Sequence, residues 1–559
     1  MTDVIDQPAA VGPGVLPTPG GLLRFDPRVA PPTVGGGTRS ARPEARSHVR
    51  LRARWRRVVT SRTACVIGIG TVALLARLVG LPTAYDVFID EVSYTNISIS
   101  VAHGHGVTLY GRPFALHPPA AFGLYALVIR LLGLHGTTEQ VLFALRHVDV
   151  VLGTAICIVT FLLVEQASRR RVAVVAALLM AVDPLAISFD SRVMLEAPAQ
   201  LAVVSMFYLL VRADGAPEGT AARRNWLVLA GLAGGVVLCT KETFGLVVVG
   251  ALGCLWATGW VIARREVVRV GVVAAACYLV SVISLALSSG FGVWWANTLG
   301  GALRLVGADQ TSGFNAPQTK ASFLSRVLAN GSVFAVVYVI LAVGTVLALA
   351  LLWRFDPWNR PRHRRDHRGR STVLVAVWTM SAAAYLVYAT LFGTIEEQMY
   401  YILLLPCAIS VCLWFGGRMS TGHRRWRVIG ILALTVALVV DGSAWSAIHT
   451  GRDDEYRRLL SWEAVHVAPT AVVAATDGTS QFLLQRGIIG HWATLPQLKS
   501  HHVDYVIIAT LLVSQGYGLA TPTFARAVER GGRLVFEADG VSDGSLRVYD
   551  VSAMTAAVR

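Results

Sequence analysis

At 559 residues the chain is too long for one ordinary domain, and 54% hydrophobic against 15% charged residues excludes a disordered chain and disfavours a wholly soluble one. The 50 basic against 34 acidic side chains give +16, a balance that in a soluble protein points first to nucleic acid. Here the basic residues lie between long apolar runs, so the partner they indicate is a lipid bilayer, with no nucleic acid expected.

Residues 1–62 begin rich in Pro and Gly without period and end in an arginine run around Arg50–Arg57, which reads as a disordered, basic cytoplasmic arm. No apolar core follows Met1 directly, so the arm is not read as a signal peptide. Residues 63–446 carry apolar runs near 63–81, 140–164, 172–188, 197–211, 225–240, 243–263, 270–289, 327–353, 371–392, 399–416 and 427–446. That predicts a polytopic α-helical membrane protein of about 11 spans, with 225–263 open to a re-entrant reading. Arginines cluster at 169–171, 223–224, 264–265, 354–370 and 418–427, all on one side if the spans alternate. The positive-inside rule then sets the N-terminus inside and the C-terminus outside, in a cell membrane, with the loop 82–139 on the extracytoplasmic face. The seven cysteines lie in apolar runs with no CxxC pair and read as small buried hydrophobes.

Residues 447–559 contain no long apolar run. Short strands are expected at Ala471–Ala475, Val503–Ala509 and Arg533–Glu537, with a helix near 521–530, which predicts a small extracytoplasmic α/β domain. His491, His501 and His502 fit no zinc spacing there and read as surface residues.

The external loop 82–139 is where the chain concentrates chemistry. It holds Asp86, Asp90-Glu91, Tyr94, Gly104-His105-Gly106 and His117-Pro118-Pro119. Adjacent carboxylates just outside a span suit general-base work or phosphate-linked chemistry. Capping of a helix over 92–102 is the competing reading. Further on, Ser191-Arg192 precedes Glu196, and Thr240-Lys241-Glu242 separates two apolar runs in a chain with very few lysines. A helix-surface salt bridge and a snorkelling interfacial lysine are the plain readings of these two features. Trp294-Trp295, Tyr400 and Tyr401 fit an aromatic belt at the membrane interface.

The Asp90-Glu91, Tyr94, Gly104–Gly106 and Pro118-Pro119 pattern resembles the first external loop of the GT-C glycosyltransferases of family 39. That group comprises the protein O-mannosyltransferases and the bacterial aminoarabinose transferases of lipid A. His117 stands where the family has Lys, and Glu196 where its Ser-Arg-x-x-x-Asp segment has Asp. The resemblance covers about residues 63–260, and more faintly extends to about 410. It implies a GT-C-like fold and transfer of a sugar from a polyprenyl-phosphate donor to a glycan, lipid or protein hydroxyl, with inversion by single displacement. It implies Asp90 as general base, Glu91 orienting the acceptor or tuning Asp90, and Glu196 as a further catalytic carboxylate. Arg192 and Lys241 lead for the donor phosphate, with His117, Arg146 and Tyr94 behind them. A divalent ion is left open, since His103, His105 and His117 with Glu91 make only a loose set. No P-loop or GxGxxG signature is present, in keeping with a lipid-linked donor. The alternatives are a secondary transporter, which should show internal repeats, and a catalytically inactive cell-wall binding or assembly protein.

Overall fold

The computed structural model describes residues 61–309, 323–359, 366–419, 424–484, 489–516, 519–542 and 544–556. The expected arm 1–62 thus lies, except for its last two residues, outside the described residues. The first span, α1 (Arg62–Leu78), starts where the Ser61 hydroxyl accepts the Ala64 N–H at 3.1 Å. The external loop then folds into α2 (Ile89–Ala102), a short hairpin of β1 (Thr108–Leu109) with β2 (Arg112–Pro113), and α3 (Ala120–Leu132). The predicted helix over 92–102 therefore begins three residues earlier, and Asp90 and Glu91 sit in its first turn.

Next come α4 (Thr138–Ala167), α5 (Arg170–Val182) and α6 (Pro184–Asp190). Asp183 caps α6 and Pro184 opens it, so the apolar run bends by 64° between α5 and α6. The chain continues through α7 (Glu196–Gly215), α8 (Ala221–Leu238), α9 (Glu242–Thr258), α10 (Arg264–Ser289), α11 (Phe291–Leu305) and α12 (Phe323–Phe355). The last helices of this region are α13 (His367–Leu391), α14 (Glu397–Met419) and α15 (Arg424–Thr450). Every predicted apolar run is helical, with the 172–188 run divided between α5 and α6. Among the described residues, six helices are long and apolar enough to cross a membrane, or seven if the bent α5–α6 pair is one span. The expected eleven exceeds that because α1 and α9 have only 17 residues each, and α7 and α8 carry charged residues within their 20 and 18 residues. As the separate runs 225–240 and 243–263 predict, this stretch is two helices, broken at Lys241, whose φ of −153° and ψ of 123° are extended.

After α15 a polar helix, α16 (Glu455–His466), leads into the sheet region: β3 (Val473–Ala475), α17 (Gly478–Leu484), β4 (Ile489–Gly490), α18 (Leu495–Ser500), β5 (Tyr505–Ala509), α19 (Thr510–Gln515), α20 (Pro522–Gly531), β6 (Arg533–Asp539), β7 (Ser545–Asp550) and α21 (Ser552–Thr555). The strand order is β4-β3-β5-β7-β6, with β3 parallel to β4 and β5, and β7 antiparallel to its neighbours. Three of these strands and α20 were expected from sequence. Residues of α16, β3, β5 and β7 share a continuous hydrophobic core with the long helices.

Buried ion pairs fix the helices against one another. Arg77 of α1 donates to Asp190 at 2.7 and 3.1 Å, and the Tyr401 hydroxyl donates to the same carboxylate at 2.6 Å. Gly153 permits this, since a Cβ there would lie 2.5 Å from the Asp190 carboxylate. At the other helix ends Arg62 and Arg170 share Glu165, Arg223 forks onto Glu266, and Arg370 and His367 meet Asp214. Arg170 beyond the end of α4, Arg223 at the start of α8 and Arg370 at the start of α13 therefore lie at the helix ends away from the loop 82–139 and the α6–α7 and α8–α9 junctions.

Candidate active site

The site is built from the first turn of α2. Arg146, projecting from α4 and fully buried, donates to both Glu91 oxygens at 3.0 and 2.6 Å. Its remaining donors reach the carbonyls of Leu81, Tyr85 and Asp86 at 3.3, 2.9 and 3.2 Å. Glu91 also accepts the N–H of Val193 at 2.8 Å and of Phe88 at 3.3 Å. This fork pins the loop preceding α2, the start of α2 and the α6–α7 connection to α4. Arg146, expected behind Arg192 and Lys241 at the donor phosphate, has no donor left for a ligand. Glu91, expected to orient the acceptor or tune Asp90, points into the protein and faces Arg146.

Successive helical side chains diverge by about 100°, so with Glu91 turned inward Asp90 turns to the open side. No described residue donates a hydrogen bond to its carboxylate. Burial pushes Asp90 up to about 6, Lys241 and His117 pull it down, and Glu396 and Glu196 push it further up. The charged groups facing Asp90 thus come from the α7 start, the α8–α9 junction, the loop before α3 and the α13–α14 loop.

Lys241, 4% exposed, forms an ion pair with Glu196, which is fully buried. The second Glu196 oxygen, Oε2, has no partner. Tyr94 lies one turn beyond Asp90 on the same face of α2, with its ring edge-on to His117 at 6.0 Å. Burial and the neighbouring carboxylates push its phenol well above the usual range, so it stays a neutral hydroxyl. His117 also approaches Glu242, with Nδ1 3.4 Å from Oε2. The half-buried Arg192 lies over the Tyr85 ring at 5.1 Å, faces Glu397, and keeps a buried Nε without a partner. Asp90, Tyr94, His117, Glu196 and Lys241 therefore come together, with Arg192 on the adjoining α6–α7 connection.

Glu396, in the stretch Glu396–Tyr401 that resembles the family's late external loop near the donor, reaches the site from the loop before α14, with Arg304 3.5 Å away. For the divalent ion left open above, no group of three or more His, Cys, Asp or Glu among the described residues is arranged to hold one. His103 and His105 stack on each other at 6.2 Å, whereas His117 turns to Tyr94 and Glu242. His103, His105 and His117 therefore do not come together with Glu91.

This geometry matches known proteins in fold. The structure of ArnT from Cupriavidus metallidurans bound to undecaprenyl phosphate superposes with a TM-score of 0.55 at 13% identity, covering 88% of this chain and 98% of that one. The archaeal oligosaccharyltransferase AglB from Archaeoglobus fulgidus, in complex with an inhibitory peptide and a dolichol-phosphate, gives 0.55 at 13% identity, over 88% of this chain and 74% of that one. The chain therefore shares the fold of these two proteins, long apolar helices followed by a small sheet region at the C-terminus. Residues 69–291 match the sequence family described as dolichyl-phosphate-mannose-protein mannosyltransferase. No curated protein matches the chain by sequence.

Proposed function

We propose that this chain is a membrane glycosyltransferase that moves a sugar from a polyprenyl-phosphate donor to an acceptor hydroxyl. The observation that carries this reading is Asp90, an unbonded carboxylate held near pKa 6 beside the buried Lys241 at the mouth of the helices. A group with that pKa is ionised at neutral pH yet basic enough to take a proton. Asp90 removes the acceptor hydroxyl proton as that oxygen attacks the anomeric carbon, and the bond to the lipid phosphate breaks with inversion. The leaving phosphate already bears negative charge, so it needs cations more than an acid. Lys241 supplies one, with Glu196 holding its ammonium in place, and the open Nε of Arg192 supplies another. Tyr94 and His117 close the side of the site formed by α2 and the Pro118-Pro119 turn. Glu91 and Arg146 act as positioning residues.

The undecaprenyl phosphate and dolichol-phosphate bound by the two structural relatives, and the matched mannosyltransferase family, support a polyprenyl-phosphate sugar as donor. The acceptor is a glycan, lipid or protein hydroxyl. The gathering of arginines at the helix ends opposite Asp90 supports a cytoplasmic N-terminus and an extracytoplasmic site in the plasma membrane. By the same account residues 63–446 form the catalytic membrane domain and 447–559 an extracytoplasmic domain. The test is transfer from labelled polyprenyl-phosphate sugar: the Asp90→Asn variant should be expressed at the wild-type level and lose transfer. Unchanged transfer would overturn the reading.

A further inference from the structure

The sheet region reaches the catalytic loop through an unusual contact. Asp453 and Glu455, just after α15, meet Asp86, four residues before Asp90, and all three carboxyls are buried. Asp86 accepts the Tyr456 N–H at 3.1 Å and the Val87 N–H at 2.8 Å. Its own N–H donates to Asp453 at 3.3 Å, and the Asp453 N–H donates to the Thr83 carbonyl at 2.9 Å. Asp453 in turn accepts the N–H groups of Val541 and Ser542, each at 2.8 Å, from the β6–β7 turn. The loop before Asp90 is thereby held between Arg146 on one side and the sheet region on the other.

Glu455 differs from the other two. It is fully buried against Gly540, where any side chain would displace its carboxyl, and no described N–H or hydroxyl donates to either of its oxygens. The charged groups acting on it are the carboxyls of Asp86 and Asp453. Arg458, one turn on, is spent on Asp454 at 2.9 Å and the Asp539 carbonyl, and Arg146 reaches only the carbonyl of Asp86. Two buried carboxyls in contact with no cation between them cannot both ionise. Two apolar contacts support the same junction. Ile89 packs on Gly478, and the Tyr110 ring stacks on Phe482 at 4.0 Å.

We propose that Glu455 is a positioning residue: it shares a proton with Asp86, and this carboxyl pair clamps the catalytic loop to the C-terminal sheet region. The sheet region then sets the orientation of Asp90 without touching substrate. Burial and the facing carboxyls push Glu455 up to about 10, so the clamp is closed at neutral pH and opens only as Glu455 ionises in alkali. The inference rests on the catalytic reading of Asp90, so its test has an arm that needs no turnover.

The full-length protein in lipid nanodiscs is compared as wild type, Glu455→Gln, Glu455→Ala and Asp90→Asn. Transfer is followed from pH 6 to 11, with peptide-resolved hydrogen exchange over 81–95 at pH 7. Gln is neutral and can still donate to Asp86, so Glu455→Gln should keep wild-type exchange and hold its kcat above pH 9. Wild type should lose kcat reversibly there, several-fold by about pH 10–11. Glu455→Ala should exchange faster over 81–95 and lose kcat several-fold at every pH, with an unchanged KM for the donor. Wild-type exchange in Glu455→Ala, or the same alkaline loss in Glu455→Gln, would overturn the proposal. Asp90→Asn separates the two claims: normal transfer by that variant defeats the catalytic reading, whereas the exchange arm still decides the clamp.

Discussion

Lowering the pH should titrate catalysis through Asp90. With its carboxyl held at about 6, about a tenth is ionised at pH 5 and about nine-tenths at pH 7. Since only the ionised form can accept the acceptor's proton, kcat/KM should rise about tenfold between those pH values and then level off. The charges around Asp90 also predict how the midpoint moves. Lys241 is the largest charge effect and pulls the value down, whereas Glu196 pushes it up by less. Replacing the pair together, Lys241→Met with Glu196→Gln, avoids leaving one buried charge alone and removes a net downward pull. The midpoint should therefore move above 6, along with a loss of donor affinity. The assay is transfer of radiolabelled sugar from a polyprenyl-phosphate donor by detergent-purified enzyme across pH 4.5–8.5. A flat profile, or a midpoint that falls in the double variant, would refute the assignment of Asp90 as base and of Lys241 as its main electrostatic partner.

Other consequences follow from the same contacts. Asp90 bears a raised pKa, so its ionised form is disfavoured in the folded protein. Asp90→Asn should accordingly melt above wild type at pH 8, with the difference shrinking as the pH falls through about 6 and vanishing below the ordinary value of 3.8. Arg192→Met should raise the KM for the donor more than it lowers kcat, as loss of a ground-state phosphate contact requires. Arg146→Met leaves Glu91 charged, buried and unpaired, a cost of roughly 3–5 kcal/mol that thermal unfolding in detergent should register, with Glu91→Gln/Arg146→Met recovering part of it. Gly153→Val places methyl groups on the Asp190 carboxylate and should lower the yield of folded protein without changing the pH profile of what survives.

The long apolar helices of the chain and the Asp90-Glu91 pair in its external loop were legible in the sequence, for different reasons. Apolar runs between arginine clusters have few other uses, and each became helical; a carboxylate pair outside a span has no anchoring purpose. The number of spans was less legible, because hydropathy marks the runs 225–240 and 243–263 as separate but does not say whether helices of 18 and 17 residues cross a membrane. Partners were least legible. Glu91 finds Arg146 across 55 residues, Lys241 finds Glu196 across 45, and Arg77 finds Asp190 across 113, and no local spacing announces such pairs. That is why Arg146 read as a phosphate ligand when it is spent inside the protein. In the sheet region β4 is two residues long, too short for any alternation to show, whereas β7 does alternate at Leu546 and Val548 but lies in a short polar stretch. Asp86 stood in the quoted loop without a role, and its partners at 453–456 lie beyond all the long helices.

The central claim is that Asp90 takes the acceptor's proton in sugar transfer from a lipid phosphate. Single-turnover transfer by wild type and Asp90→Asn, with donor occupancy measured in the same sample, tests it most directly. The account predicts equal donor binding and a roughly 10²–10⁴-fold slower transfer step in the variant. Equal transfer rates would contradict it.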